Sequence, residues 1–93
     1  MFLWDVQKAV SNRAKHGVSF DEASTVFRDP DGLDWQDWQH SRGEPRFKRL
    51  GVSNQGRMLL VVYTPRRMRD GNEAIRIISA RRASRKERAA YFG

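Results

Sequence analysis

The run Met58-Leu59-Leu60-Val61-Val62-Tyr63 is apolar at every position, so a strand built from it carries apolar side chains on both faces and must be covered on both. That makes it a central strand and requires a sheet around it. Arg46 to Ser53, with Phe47, Leu50 and Val52, supplies one neighbour; Asn54-Gln55-Gly56 joins the two arms as a hairpin. On the other side Ile75, Ile77 and Ile78 mark a further strand ending at Ser79-Ala80, reached through the basic loop Pro65 to Asn72.

The flanking segments read as follows. Phe2 to Val6 is short, apolar and aromatic-rich and reads as a first strand or extended edge. Lys8 to His16 reads as a helix closed by Gly17, with Val18 placed for the apolar contact of such a cap. Ser19 and Glu22 form a capping box for a second helix that lines up Phe20, Ala23, Val26 and Phe27 and stops near Arg28, before the turn Asp29-Pro30-Asp31-Gly32. Leu33 to Trp38 reads as an imperfect strand, His40 to Pro45 as a polar loop, and Arg82 to Tyr91 as a final helix. The expected fold is α+β, a single domain over residues 1–93, with helices packed on one side of a mostly antiparallel twisted sheet.

Composition narrows the class. A 93-residue chain holds one core, and the absence of cysteine favours the cytoplasm and argues against a structural metal. No apolar run is long enough for a bilayer, so no membrane partner is expected, and the first residues already carry an acidic group at Asp5, unlike a leader peptide. Residues 1–65 hold nine basic and eight acidic groups, whereas residues 66–93 hold nine basic groups, eight of them arginine, against Asp70, Glu73 and Glu87. The planar fork of arginine suits phosphate oxygens, so the expected partner is a polyanion.

Several residues offer chemistry on such a partner. Cleaving an RNA phosphodiester by attack of its own 2′-hydroxyl needs a proton acceptor, a proton donor and positive charge on the crowded phosphorane. Arg66 and Arg67 follow the central strand and Arg81 and Arg82 follow the next. If the two strands pair antiparallel, Arg66 lies nearer Arg76 than Arg81, and the sequence leaves open which pair converges. The alternative for these arginines is a solvated rim. Arg85, Lys86 and Arg88 read as surface charge or RNA contact. His16, beside Lys15 at a helix end, is either a proton shuttle or a C-capping histidine. His40 and Glu44 share a polar loop and form either an acid/base pair or ordinary loop hydrogen bonds; Tyr91 either packs on the sheet or reaches the phosphate. Trp4, Trp35 and Trp38 either stack bases or pack in the core. No glycine-rich phosphate loop, nucleotide fingerprint or serine-centred triad is visible, so few enzyme classes besides nuclease remain and no cofactor is expected.

The segments Trp4-Asp5, Lys15-His16-Gly17-Val18-Ser19-Phe20, Glu22-Ala23, Asp29-Pro30, His40-Ser41, Glu44, Arg46-Phe47, Gly56-Arg57 and Ile75-Arg76-Ile77-Ile78-Ser79-Ala80-Arg81 together resemble the BrnT family of toxins. The resemblance runs through almost the whole chain. It implies a RelE-like fold and a metal-independent endoribonuclease of a type II toxin–antitoxin system that arrests translation. It also implies a BrnA-like antitoxin as partner, which carries the DNA-binding function and represses the shared operon. By position it implies Arg66 and Arg81 as the active-site pair, with His16 matching a motif residue; Lys15, His40, Glu44, Arg76 and Tyr91 are the further catalytic or RNA-contacting candidates. Glu44-Pro45-Arg46 departs from the more usual double glutamate of the family. Two other readings remain at this stage: a non-catalytic RNA- or DNA-binding module, and a toxin of the same fold that blocks a protein such as gyrase.

Overall fold

The computed structural model describes residues 1–93. In chain order the elements are β1 (Phe2–Leu3), α1 (Val6–His16), α2 (Phe20–Ser24) running into a 3-10 turn (Thr25–Arg28), and β2 (Leu33–Gln36), followed by a second 3-10 turn (Trp38–His40). Then come β3 (Phe47–Val52), β4 (Met58–Arg67), β5 (Glu73–Arg82) and α3 (Arg85–Phe92). The five strands form one sheet in the order β1-β5-β4-β3-β2, with the apolar run of β4 at its centre. Three pairings are antiparallel, but β1 lies parallel to β5, with Phe2 opposite Ile75, so the sheet is mixed.

Several boundaries differ from the sequence reading. Helix α1 starts earlier, at Val6, because Asp5 caps it by accepting hydrogen bonds from the Gln7 and Lys8 N–H groups at 2.8 and 3.1 Å. The stretch Pro65 to Arg67 is not loop: β4 carries on through it opposite Glu73 to Ile75, and Arg81 and Arg82 belong to β5. At Ser19 the box is only half made. The Ser19 hydroxyl accepts from the Glu22 N–H at 3.0 Å, but the Glu22 side chain turns inward to Arg57 and to Ser53, whose hydroxyl donates to it at 2.7 Å. The reciprocal capping box is at Ser84 and Glu87, opening α3.

Alternation along the strands sorts the core. Leu59 and Val61 of β4 join Ile77 and Ala80 of β5 beneath Val18, Phe20, Ala23 and Val26, so α1, α2 and their turn cover one face, where Phe2, Phe27, Tyr63 and Phe47 run in ring-to-ring contact. Leu60 and Met58 point the other way and meet Leu50, packed by Val52, Ala83 and Tyr91. The helices therefore do not all lie on one side: α3 covers one end of the opposite face and leaves the rest of it open.

Two close contacts fix the layers. Gly51 sits under the first 3-10 turn, where a Cβ would come within 3.1 Å of the Val26 carbonyl oxygen, so a larger residue would make the turn give way by a few tenths of an ångström. Asn12 of α1 acts as a substitute strand beside β5. Its amide donates to the Ala80 carbonyl at 2.8 Å and its oxygen accepts from the Ala80 N–H at 3.1 Å.

Candidate nucleic-acid interface

The open face is read from the register. Arg46, Lys48 and Leu50 on the β3 segment alternate onto the same side as Val62, Thr64 and Arg66 of β4 and Arg76, Ser79 and Arg81 of β5. Arg76 sits opposite Thr64, and Arg66 opposite Ala74 one step along, so Arg66 and Arg76 are diagonal neighbours. Arg46 continues β3 beside Thr64, whose hydroxyl donates to the Pro45 carbonyl at 2.6 Å. One end of the face thus collects Arg46, Arg66 and Arg76, with Lys48 in the next row. None of the three arginines makes a close ion pair: Arg66 comes only to 3.9 Å of Glu44, and both side chains stay partly exposed. Cations that the protein itself does not neutralise remain available to phosphate oxygens.

Arg81 is elsewhere on this face. It stands opposite Leu60, six residues along β4 from Arg66, about 20 Å of strand away. Its guanidinium is engaged by Glu87 through two hydrogen bonds of 2.8 Å, a bidentate pair that ties β5 to the first turn of α3. That hydrogen-bonded pairing outweighs burial and holds the Glu87 carboxyl down at about 2. Tyr91, on the same helix, donates its hydroxyl to Asp29 at 2.7 Å, and this bond more than burial pushes its phenol up to about 12. Asp29 also accepts from the Val52 N–H at 2.8 Å, so Tyr91 fastens α3 to the sheet edge. Its hydroxyl is committed there.

Both flanks of the open face carry a histidine. On the β5 side, Lys8, Ser11, Lys15 and His16 of α1 line a cleft of about 470 Å³ with Ile78 and Ser79; no hydrogen bond joins His16 to another side chain. On the β2 side, His40 does not pair with Glu44. It lies against Asp37, with Nδ1 2.9 and 3.1 Å from the two carboxylate oxygens, because a 3-10 turn places residues three apart above one another. Asp37 is buried and comes within 3.9 Å of the Lys48 amine. Burial alone would raise its carboxyl, but the His40 hydrogen bond and the positive charges nearby hold it below the ordinary aspartate range.

Of the residues expected from sequence, the structure therefore brings Arg66 and Arg76 together, places Arg81 at the far end in an ion pair, and separates His40 from Glu44. Sequence reasoning missed Arg46, Lys48 and Asp37. The alternation Arg46, Lys48, Leu50 was the available signal for the first two. Of the tryptophans, Trp4 packs edge-on against Phe20, whereas Trp35 is 42% and Trp38 78% exposed beside the cationic end, where a base could stack. No three His, Asp or Glu side chains come together as a cation site, and no helix is long and apolar enough to cross a membrane.

Comparison with known proteins fits this arrangement. The crystal structure of the Brucella abortus ribonuclease toxin, BrnT, superposes with a TM-score of 0.67 and is 26% identical, covering 91% of this chain and 99% of that one. No curated protein matches the chain in sequence. The profile described as "Ribonuclease toxin, BrnT, of type II toxin-antitoxin system" matches residues 4–87, which carry four of the five strands, β2 to β5. The chain belongs to the BrnT family of ribonuclease toxins of type II toxin–antitoxin systems.

Proposed function

We propose that the open face is where RNA binds and is cut, and that the cut is a metal-independent attack of the 2′-hydroxyl on the neighbouring phosphodiester. The observation that carries this reading is the group Arg46, Arg66 and Arg76, which three adjacent segments of the sheet deliver to one end of a surface that α3 leaves uncovered. Guanidinium groups held on paired strands are fixed before the substrate arrives, which is the condition for stabilising charge that develops on a phosphorane. Lys48 and the partly exposed Arg81 extend the contact along the strand, Lys15 and His16 border it on the α1 side, and Trp35 and Trp38 offer faces to unpaired bases. Tyr91, with its hydroxyl bonded to Asp29, holds the fold.

The fold is read as RelE-like, and the toxin works in the cytoplasm, where cutting RNA arrests translation. A BrnA-like antitoxin neutralises it by covering the same basic face and supplies the DNA-binding function of the complex. A single-stranded RNA oligonucleotide, with its all-deoxy counterpart, tests the reading. The RNA should be cut and the deoxy strand only bound, with affinity falling steeply as salt rises; Arg66→Ala or Arg76→Ala should reduce the salt slope by about one and slow cleavage. RNA that is bound but never cut would instead make the chain a non-catalytic module.

A further inference from the structure

We propose that His40, oriented by the buried carboxylate of Asp37, is the group that takes the proton from the RNA 2′-hydroxyl. The proposal rests on the ribonuclease reading above and adds the proton acceptor that arginines cannot be. Asp37 occupies the residue before the second 3-10 turn with its side chain 9% exposed, while the His40 ring, 63% exposed, projects from it. With Nδ1–H donating to the carboxylate, the lone pair of the neutral ring lies on Nε2, on the side away from Asp37 and towards solvent. The same carboxylate then stabilises the imidazolium that forms when Nε2 accepts a proton.

The turn is fastened to the cationic end of the sheet. The Asp37 N–H donates to the Arg46 carbonyl at 2.8 Å, and the Ser41 hydroxyl donates to the Asp37 carbonyl at 2.5 Å while accepting from the Arg46 N–H at 3.0 Å. His40 is therefore tethered to the very residue that begins the arginine row. Arg42 and Arg46 share with it a recess of about 400 Å³, and neither guanidinium is paired with a carboxylate, so a phosphate can enter beside the imidazole. The charged groups facing His40 are Asp37 beneath it, Lys48 from β3 against the same carboxylate, and Arg42 and Arg46 across the recess; Glu44 turns to Arg66 instead. His16, at the other edge of the sheet, makes no hydrogen bond or ion pair with a carboxylate, and Asp5 in the same cleft is taken up in capping α1.

In the step itself the 2′-hydroxyl proton passes to Nε2, the 2′-oxygen bonds to phosphorus, and the bond from phosphorus to the 5′-oxygen breaks. The leaving oxygen takes a proton from solvent, and the imidazolium later returns its own. The products are a 2′,3′-cyclic phosphate and a 5′-hydroxyl end.

The test compares wild type, His40→Ala, His40→Gln and Asp37→Asn on a single-stranded RNA oligonucleotide across pH, with the all-deoxy strand as binding probe and circular dichroism as check of the fold. His40→Ala and His40→Gln should lower kcat by about 10²- to 10⁴-fold and remove the limb of the profile that rises from acid pH, with KM and deoxy-strand affinity little changed. Asp37→Asn should lower kcat by a smaller factor with KM and deoxy-strand affinity unchanged, because the amide no longer fixes which ring nitrogen keeps the proton. A folded His40 variant that cuts at the wild-type rate with the acid limb intact overturns the assignment and leaves the ribonuclease reading standing. A wild-type protein that cuts no RNA overturns both.

Discussion

Replacing Glu87 by glutamine leaves the shape of the capping residue intact and removes the charge that Arg81 holds. In the folded protein the Glu87 carboxyl is drawn down to about 2 from an ordinary 4.5, chiefly by its two hydrogen bonds to Arg81. At about 1.4 kcal/mol per pKa unit the whole depression would amount to roughly 3 kcal/mol. The Arg81 side chain is 41% exposed, however, and solvent screening reduces the contribution to roughly 1–2 kcal/mol. The sign follows from the depressed folded value: this stability is fully present above the unfolded pKa near 4.5 and drains away as pH falls towards 2. Urea unfolding of wild type and Glu87→Gln should therefore differ by that amount at pH 7, keep the same gap down to about pH 5, and converge near pH 2. In an Arg81→Ala background the Glu87→Gln change should cost much less, which identifies the partner. Equal stability of the two proteins at pH 7, or a gap that stays constant to pH 2, would refute the account of how α3 is held.

Gly51→Ala should push the first 3-10 turn off β3, since the added Cβ meets Val26 backbone and side chain at 3.1 and 3.2 Å; a loss of about 1–3 kcal/mol is expected, read as a drop in Tm of about 4–8 °C per kcal/mol. Asn12→Ala strips the edge of β5 of both its partners at Ala80 and should cost on the order of 2–4 kcal/mol, with hydrogen exchange accelerated at the Ala80 amide first; unchanged exchange there would show that α1 closes the edge by other means.

The parts of the molecule that depend on short-range pattern were readable in the chain. The apolar run at Met58 to Tyr63 places β4 in the middle of the sheet, and Gly17 does end α1 in the left-handed conformation. What sequence could not supply was phase. Val62 pairs with Ser79 and Tyr63 with Ile77, so Ile78 is an extra residue that shifts the alternation of β5. Without that bulge Arg76 and Arg81, five residues apart, would point to opposite faces; with it, both reach the open one. The partner of His40 was hidden for a similar reason. Glu44 shares the polar loop with His40, whereas Asp37 falls in the expected strand Leu33 to Trp38, but the turn at Trp38 to His40 stacks residue 40 over residue 37. Glu22 misled through competition: its own carboxylate is buried, and the half-buried Arg57 guanidinium outbid the backbone N–H that a capping glutamate ordinarily serves.

The side-chain strand that Asn12 makes along β5 also bears on how many copies of this protein can share a cell. A five-stranded sheet has two rims, and an unpaired rim recruits the rim of another molecule. Here β1 occupies one stretch of the β5 rim and Asn12 blocks the next, so that side offers no row of free amides. The other rim is β2, four residues long and broken at once by a 3-10 turn. With one rim blocked and the other only four residues long, the sheet offers little edge for pairing with another copy, leaving its flat, basic surface for a polyanion or an inhibitor.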